Sequence, residues 1–256
     1  MRGLIVSLAA AALAAGCATR VDPAAGGAPV AFQRPALDPT NGGALVAADA
    51  LRAGDILLSA ADAPTSVGIR VFTLAPVSHA ALYVGDARVA EAVGSGVRLR
   101  ALDAVLAEES VVVAFRHPAL GAEHAERIAA FAAESVGKPY DHVGVLLHAP
   151  FSLQRRVCEV PLVPEGVRDA CIRGVATIQL GAAANDRFFC SQFVLEAYRR
   201  AGLPITDADP RWVSPADLLH MREGDVPSVR VRTALVYVGH LKFAPAPPAR
   251  ETAALD

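Results

Sequence analysis

"SHAALYVGDARVAEAVGSGVRLR", residues 78–100, decides the fold. Short apolar runs are broken at Gly85-Asp86 and again at Gly94 and Gly96, which reads as two or three short strands with glycine turns. Alternation places His79, Ala81 and Tyr83 on one face of the first strand and Ala80, Leu82 and Val84 on the other. A polar group on so apolar a strand needs a partner, and the plain reading is a hydrogen-bonded core histidine. The next run, "RVAEAVG", holds a single acid, Glu91. If Gly85, Asp86 and Ala87 form a three-residue loop, Val84 pairs with Arg88 and Ala81 faces Glu91. Glu91 then lies diagonally across from His79 on the same face. A two-residue loop would send it to the opposite face. Both turns are compatible with the sequence.

The surrounding segments extend this pattern. "GDILLSA" (54–60) and "SVVVAFR" (110–116) read as strands, and "LDAVLAE" (102–108) as a short helix. "TSVGIRVFTLA" (65–75) reads as a further helix. "EHAERIAAFAAESVGKPY" (123–140) puts Ile128, Phe131, Ala132 and Ser135 on one helical face, and Gly137 and Pro139 stop it. Residues 142–189 show no regular period. "CSQFVLEAYRRA" (190–201) is the next helix, ended by Gly202. In "SPADLLHM" (214–221) Ser214 is placed as N-cap, with Pro215 first in the helix and Asp217 three residues past the cap. "SVRVRTALVYVG" (228–239) reads as a final strand. Strands and helices do not alternate strictly, which favours α+β with an antiparallel sheet over a doubly wound fold.

The chain has 256 residues, a formal net charge of -2 and 53% hydrophobic residues, many of them alanine. That fits one ordinary domain with a real core and offers no basic surface for nucleic acid. "MRGLIVSLAAAALAAGC" (1–17) carries Arg2, an apolar run from Leu4 to Ala15, then Gly16-Cys17. The run is too short to span a membrane and reads as an export signal. The small residues before Cys17 resemble a bacterial lipoprotein processing site, which would make Cys17 the lipid anchor. Ala18 rather than Asp follows it, which favours the outer membrane, facing the periplasm. Residues 18–44 are rich in Ala, Pro and Gly and read as a flexible tether, 45–243 as the folded domain, and 244–256 as a loose tail.

Export changes the cysteine count. With Cys17 assigned to the anchor, Cys158, Cys171 and Cys190 remain. An oxidising compartment allows one disulfide and one free thiol. Cys158 and Cys171 are close in sequence and are expected to be bridged, leaving Cys190. The amphipathic pattern after Cys190 places it near the start of a helix, where backbone N–H groups and the dipole favour a thiolate. A thiolate nucleophile needs a base, usually His, and a third group to hold the base. One Cys, one His and one carboxylate could also hold zinc, but no spacing motif supports a metal, and no cofactor is expected.

Four fragments, "LRAGDILLS", "SHAALYVGD", "VAEAVGSGV" and "FFCSQFVLEAY", resemble in order the YiiX/YaeF-like proteins, permuted papain-like enzymes of the NlpC-type superfamily. In that branch the His strand comes first and the Cys helix last, as here. The resemblance runs from about Gly54 to Leu219 and implies a circularly permuted papain-like fold, an antiparallel sheet packed against helices. The twelve-residue step from His79 to Glu91 is similar to that in the related lecithin retinol acyltransferase group. The resemblance implies Cys190 as nucleophile, His79 as general base and Glu91 as the residue orienting the imidazole. Tyr83 matches a recurrent Tyr on the His strand, with an oxyanion or a packing role. Tyr140 and Asp141, in "GKPYD" (137–141), match residues that shape the site or form a structural turn.

The expected function is an envelope-anchored thiol hydrolase cleaving amide, peptide-like bonds. The alternatives are an acyl-ester hydrolase or acyltransferase acting on lipids, and a non-catalytic ligand-binding lipoprotein with the same fold. The expected partners are a peptide, small-molecule or lipid substrate of the envelope and the membrane itself, with no nucleic acid.

Overall fold

Period-two alternation runs through every central strand and buries both faces of one sheet. A computed structural model of the chain describes residues 19–21, 30–32, 44–63, 66, 76–142, 144, 151, 154, 157–158, 164–180, 187–223 and 230–242. The export signal with Cys17, the helix expected within 65–75 (Ser66 apart) and the 244–256 tail lie outside these residues. Within the 18–44 segment, Thr19–Val21 (β1) pairs antiparallel with Val30–Phe32 (β2), a short ribbon in a stretch expected to have no regular structure.

The main sheet contains Ile56–Ala60 (β3), His79–Gly85 (β4), Arg88–Val93 (β5), Gly96–Ala101 (β6), Val111–Arg116 (β7) and Val236–Lys242 (β8). Their order is β6-β5-β4-β3-β7-β8 with every pair antiparallel. The helices are Leu102–Glu108 (α1), Ala122–Ser135 (α2), Glu165–Leu180 (α3), Cys190–Arg200 (α4) and Pro215–His220 (α5). The molecule is therefore α+β with an antiparallel sheet.

On one face Ile56, Leu58, Ala80, Leu82, Ala90, Ala92, Val113 and Phe115 pack against Ile128 and Phe131 of α2 and Phe193, Val194 and Tyr198 of α4. The intervening residues Leu57, Ala81, Val89, Val112 and Ala114 pack on the other face against Leu102 and Val105 of α1. The expected α2 face is buried at all four positions, Ile128, Phe131, Ala132 and Ser135. The α5 cap is also as read: the Ser214 side chain accepts from the Asp217 N–H, and the Asp217 carboxylate accepts from the Ser214 N–H at 2.7 Å.

Two expectations are corrected. Residues 142–189 are not all irregular, because α3 occupies 165–180. Gly166 and Gly174 lower its intrinsic helix propensity, so its stability comes from packing instead. Cys171 on α3 is disulfide-bonded to Cys158, and Phe151, Cys158 and Ile172 form a small satellite core with Trp212 against it. The final strand begins at Val236, eight residues later than the apolar pattern suggested. His117, just after the end of β7, is buried beside the Tyr198 ring.

The loop after α2 ties the sheet to α4. Val97 N–H donates to the Lys138 carbonyl and Gly137 N–H to the Val97 carbonyl, both at 2.9 Å. A few residues on, Asp141 N–H donates to the Phe188 carbonyl at 3.1 Å, two residues before α4 starts. Gly96 makes the first contact possible: its φ is +111°, and a Cβ there would sit 2.7 Å from the Lys138 oxygen. Gly96→Ala is predicted to lower unfolding stability by about 1–3 kcal/mol in a denaturant titration, through strained φ and loss of this docking. An unchanged midpoint would show that the close approach is not needed.

Candidate active site

The hairpin between β4 and β5 sets the site. Ala81 pairs with Glu91, as the three-residue loop required, but the turn itself is shorter. Gly85 pairs with Arg88, leaving Asp86 and Ala87 as a two-residue turn at φ +50° and +53°, the primed type that suits strand twist. The missing residue appears as a β-bulge between Tyr83 and Gly85. A bulge adds one residue to one strand and so restores the parity that a two-residue turn would have broken. Glu91 therefore shares a face with His79, and its Oε2 lies 3.0 Å from His79 Nε2.

Glu91 is 2% exposed and accepts from more than His79. Arg98, directly opposite on β6, donates through Nε at 2.8 Å, and Arg100 Nη1 lies 3.4 Å away. Neither arginine stood out in the sequence. The alternation of "GVRLR" (96–100) could have found them, since residues 98 and 100 share the Glu91 face once Glu91 is paired with Arg98.

Cys190 reaches the same histidine from the other side of the sheet. It is the first residue of α4 and is buried, 6% exposed. Phe189 N–H, just before it, donates to Gln192 Oε1 at 3.4 Å, which holds the helix entry. The β4–β5 ladder ends at Ala81–Glu91, so the Ala80 N–H is not taken up by it. That N–H and the Ser191 N–H both donate to the Cys190 sulfur, and the His79 ring hydrogen-bonds to it as well. With Nε2 engaged by Glu91, Nδ1 is the ring nitrogen left for the thiol.

Electrostatics follow from these contacts. Burial opposes charge on His79, but the hydrogen bonds to Cys190 and Glu91 outweigh it and raise the imidazole to about 10. Burial likewise pushes the Cys190 thiol up, yet the hydrogen bond and charge of His79, with the two N–H groups, bring it below its usual range. For Glu91, burial is again outweighed, by His79 and Arg98, and the carboxyl falls to about 2. Both shifts run toward a thiolate–imidazolium pair, backed by a carboxylate that stays ionised well into acid.

The remaining site residues divide. Tyr83 lies at the far end of β4, where its hydroxyl accepts from the Ala87 N–H of the turn at 3.2 Å and its ring packs on the α1 side. These contacts are those of a packing residue. Tyr140 borders the site: burial pushes its phenol up, aided by the charges of Cys190 and Asp141. Asp141 is buried, accepts from Gly144 N–H at 2.8 Å and holds the Phe188 carbonyl through its own N–H. It is the structural turn that fixes the approach to Cys190.

Residues 50–145 match the family described as "Permuted papain-like amidase enzyme, YaeF/YiiX". The chain is 40% identical over 200 residues to the "Probable lipoprotein peptidase YaeF" of Escherichia coli (strain K12), covering 77% of this chain and 73% of that protein. It also aligns with the crystal structure of metalloprotein yiiX from Escherichia coli O157:H7, at 20% identity and a TM-score of 0.44, over 76% of this chain and 98% of that one. Identity of that extent, together with the match over the His79 and Glu91 strands, places the chain in the family of permuted papain-like amidases that includes YaeF and YiiX.

Proposed function

We propose that this amidase-family member is a thiol hydrolase that cleaves amide, peptide-like bonds through Cys190, His79 and Glu91. The observation that carries the reading is the continuous contact from the Cys190 sulfur through the His79 ring to the Glu91 carboxylate. The Cys190 thiolate attacks the carbonyl carbon, and the Cys190 backbone N–H at the helix start helps hold the oxyanion. The carbonyl π electrons move to that oxygen and return as the C–N bond breaks. The His79 imidazolium gives its proton to the departing amine, leaving a thioester on Cys190. Water then attacks the thioester, the neutral imidazole takes its proton, and the thiolate leaves. Glu91 keeps the ring oriented and stabilises its charge throughout.

Cys190→Ala and His79→Ala are each predicted to lower amide hydrolysis by at least ~10²–10⁴-fold and to stay folded, with the double variant no worse than either single one. Glu91→Gln is predicted to cost less. The pH profile separates the roles. Activity needs the thiolate, so it falls as pH drops through the lowered Cys190 range, and it needs the imidazolium, so it falls as pH rises through about 10. Removing the Glu91 charge in Glu91→Gln weakens the imidazolium and moves the alkaline limb to lower pH. The decisive assay exposes the protein to cell-envelope extracts and reads acyl adducts by intact-protein mass spectrometry. Adducts confined to Cys190 support the reading; adducts that persist in Cys190→Ala contradict it.

The envelope setting is part of the proposal. The 1–17 segment acts as lipoprotein signal with Cys17 as anchor, 18–44 as tether, 45–243 as the catalytic domain and 244–256 as tail, with the domain facing the periplasm from the outer membrane. The name of the YaeF relative, a lipoprotein peptidase, supports this arrangement. The substrate is accordingly an envelope peptide, or another amide-bearing molecule, within reach of the tether. Cys17→Ser is predicted to block lipid attachment and to leave the protein uncleaved or mislocalised, as read by membrane fractionation and N-terminal mass. Normal processing with retained membrane binding would exclude Cys17 as the anchor.

A further inference from the structure

Glu109 follows the last residue of α1 and precedes Ser110, whose N–H donates to the Ala60 carbonyl at the end of β3 (2.7 Å). The β3 register sets Ser59 opposite both His79 on β4 and Val112 on β7. The Ser59 hydroxyl lies near enough to the Glu109 carboxyl to favour its charged form, which puts that carboxyl on the His79 face of the sheet, one strand away. Its Oε2 is buried with no hydrogen-bond partner. An unpaired buried carboxylate oxygen is costly. The helix offers no compensation, because a carboxylate at a C-terminus meets the negative end of the dipole.

Three charged groups face Glu109: His79 from β4, Glu91 from β5 and Arg100 from β6. Glu91 repels it. Arg100 is already shared between Glu91 and Glu108. Of the two cations, the His79 ring acts on Glu109 more strongly than Arg100. We infer that Glu109 is a second carboxylate of the His79 site, an electrostatic positioning residue that stabilises the imidazolium against Cys190.

The two carboxylates differ in what surrounds them. Glu91 has two arginines and the imidazole and stays ionised far into acid. Burial pushes the Glu109 carboxyl above its usual range, and His79 and Ser59 offset this only in part. Of the two carboxyls, Glu109 is thus the one protonated first as pH falls. Ionised, it favours the imidazolium; protonated, it does not. Glu91 supplies a constant field and Glu109 a pH-dependent one.

This inference rests on the proposed Cys190–His79 pair, and one experiment separates the two. The His79 ring nitrogens of the full chain are followed by NMR from pH 6 to 11 in wild type, Glu109→Gln and Glu109→Asp. The wild-type ring is expected to lose its proton near pH 10. In Glu109→Gln that midpoint is expected to drop by about one pH unit, while Glu109→Asp, which keeps the charge, stays close to wild type. If wild type and Glu109→Gln titrate together at high pH, the role of Glu109 is overturned and the Cys190–His79 pair stands. If Glu109→Asp falls as far as Glu109→Gln, side-chain shape and not charge is responsible, and the inference is again overturned. If wild-type His79 titrates at its ordinary value, the pair itself fails and the inference with it.

Discussion

The 3.0 Å contact between His79 Nε2 and Glu91 Oε2 is the constraint on which the site depends. It crosses a hairpin and exists only in one register. A one-residue slip would turn Glu91 to the α2–α4 face and leave a carboxylate in an apolar core. The bulge between Tyr83 and Gly85 enforces the correct parity, and the Arg98 side chain opposite Glu91 reinforces it. With that register in place, His79 stands at the first residue of β4, where the ladder to β5 has already ended. The open end admits the start of α4, and the Ala80 N–H that would otherwise continue the sheet is directed at the Cys190 sulfur. The end of a sheet and the start of a helix thus complete each other's hydrogen bonds at the proposed nucleophile.

Charge follows from this geometry more than from any single residue. His79, Cys190 and Glu91 are all buried deeply enough for desolvation to oppose their ionisation, yet all three favour the charged form because each partner stabilises the next. Such an arrangement is cooperative: losing one charge raises the cost of the others. The outer arginines, Arg98 and Arg100, matter for this reason even though neither reaches the sulfur. They keep Glu91 anionic, and Glu91 in turn keeps His79 protonated.

Much of this was legible in the sequence where structure is local. Alternation in 78–100 sets which residues share a face within each strand, and the four buried positions of α2 follow a simple helical period. The pairing of Ala81 with Glu91 is one of the two registers the sequence allows, and it arises through a two-residue turn with a bulge, which has the same parity as a three-residue loop. What escaped depends on contacts distant in sequence. Glu109 sits in "AEES", which reads as a solvated helix end, and only the pairing of β3 with β4 and β7 brings it to His79. The α3 helix escaped because its glycines mask its period and its packing relies on Cys158 and Trp212. Tyr83, left between an oxyanion and a packing role by its face alone, lies four positions along the strand from His79, and its hydroxyl contact with the turn favours packing.

The central claim, that Cys190 and His79 form an ion pair in the resting protein, is tested most directly by the pH dependence of Cys190 alkylation. Iodoacetamide reacts with the thiolate, and peptide mass spectrometry reads its addition at Cys190 alone. The half-maximal rate is predicted to fall well below the ordinary thiol range of about 8.5 in wild type and to return to or above it in His79→Ala. Wild type and His79→Ala profiles that coincide at the ordinary thiol value would contradict the account.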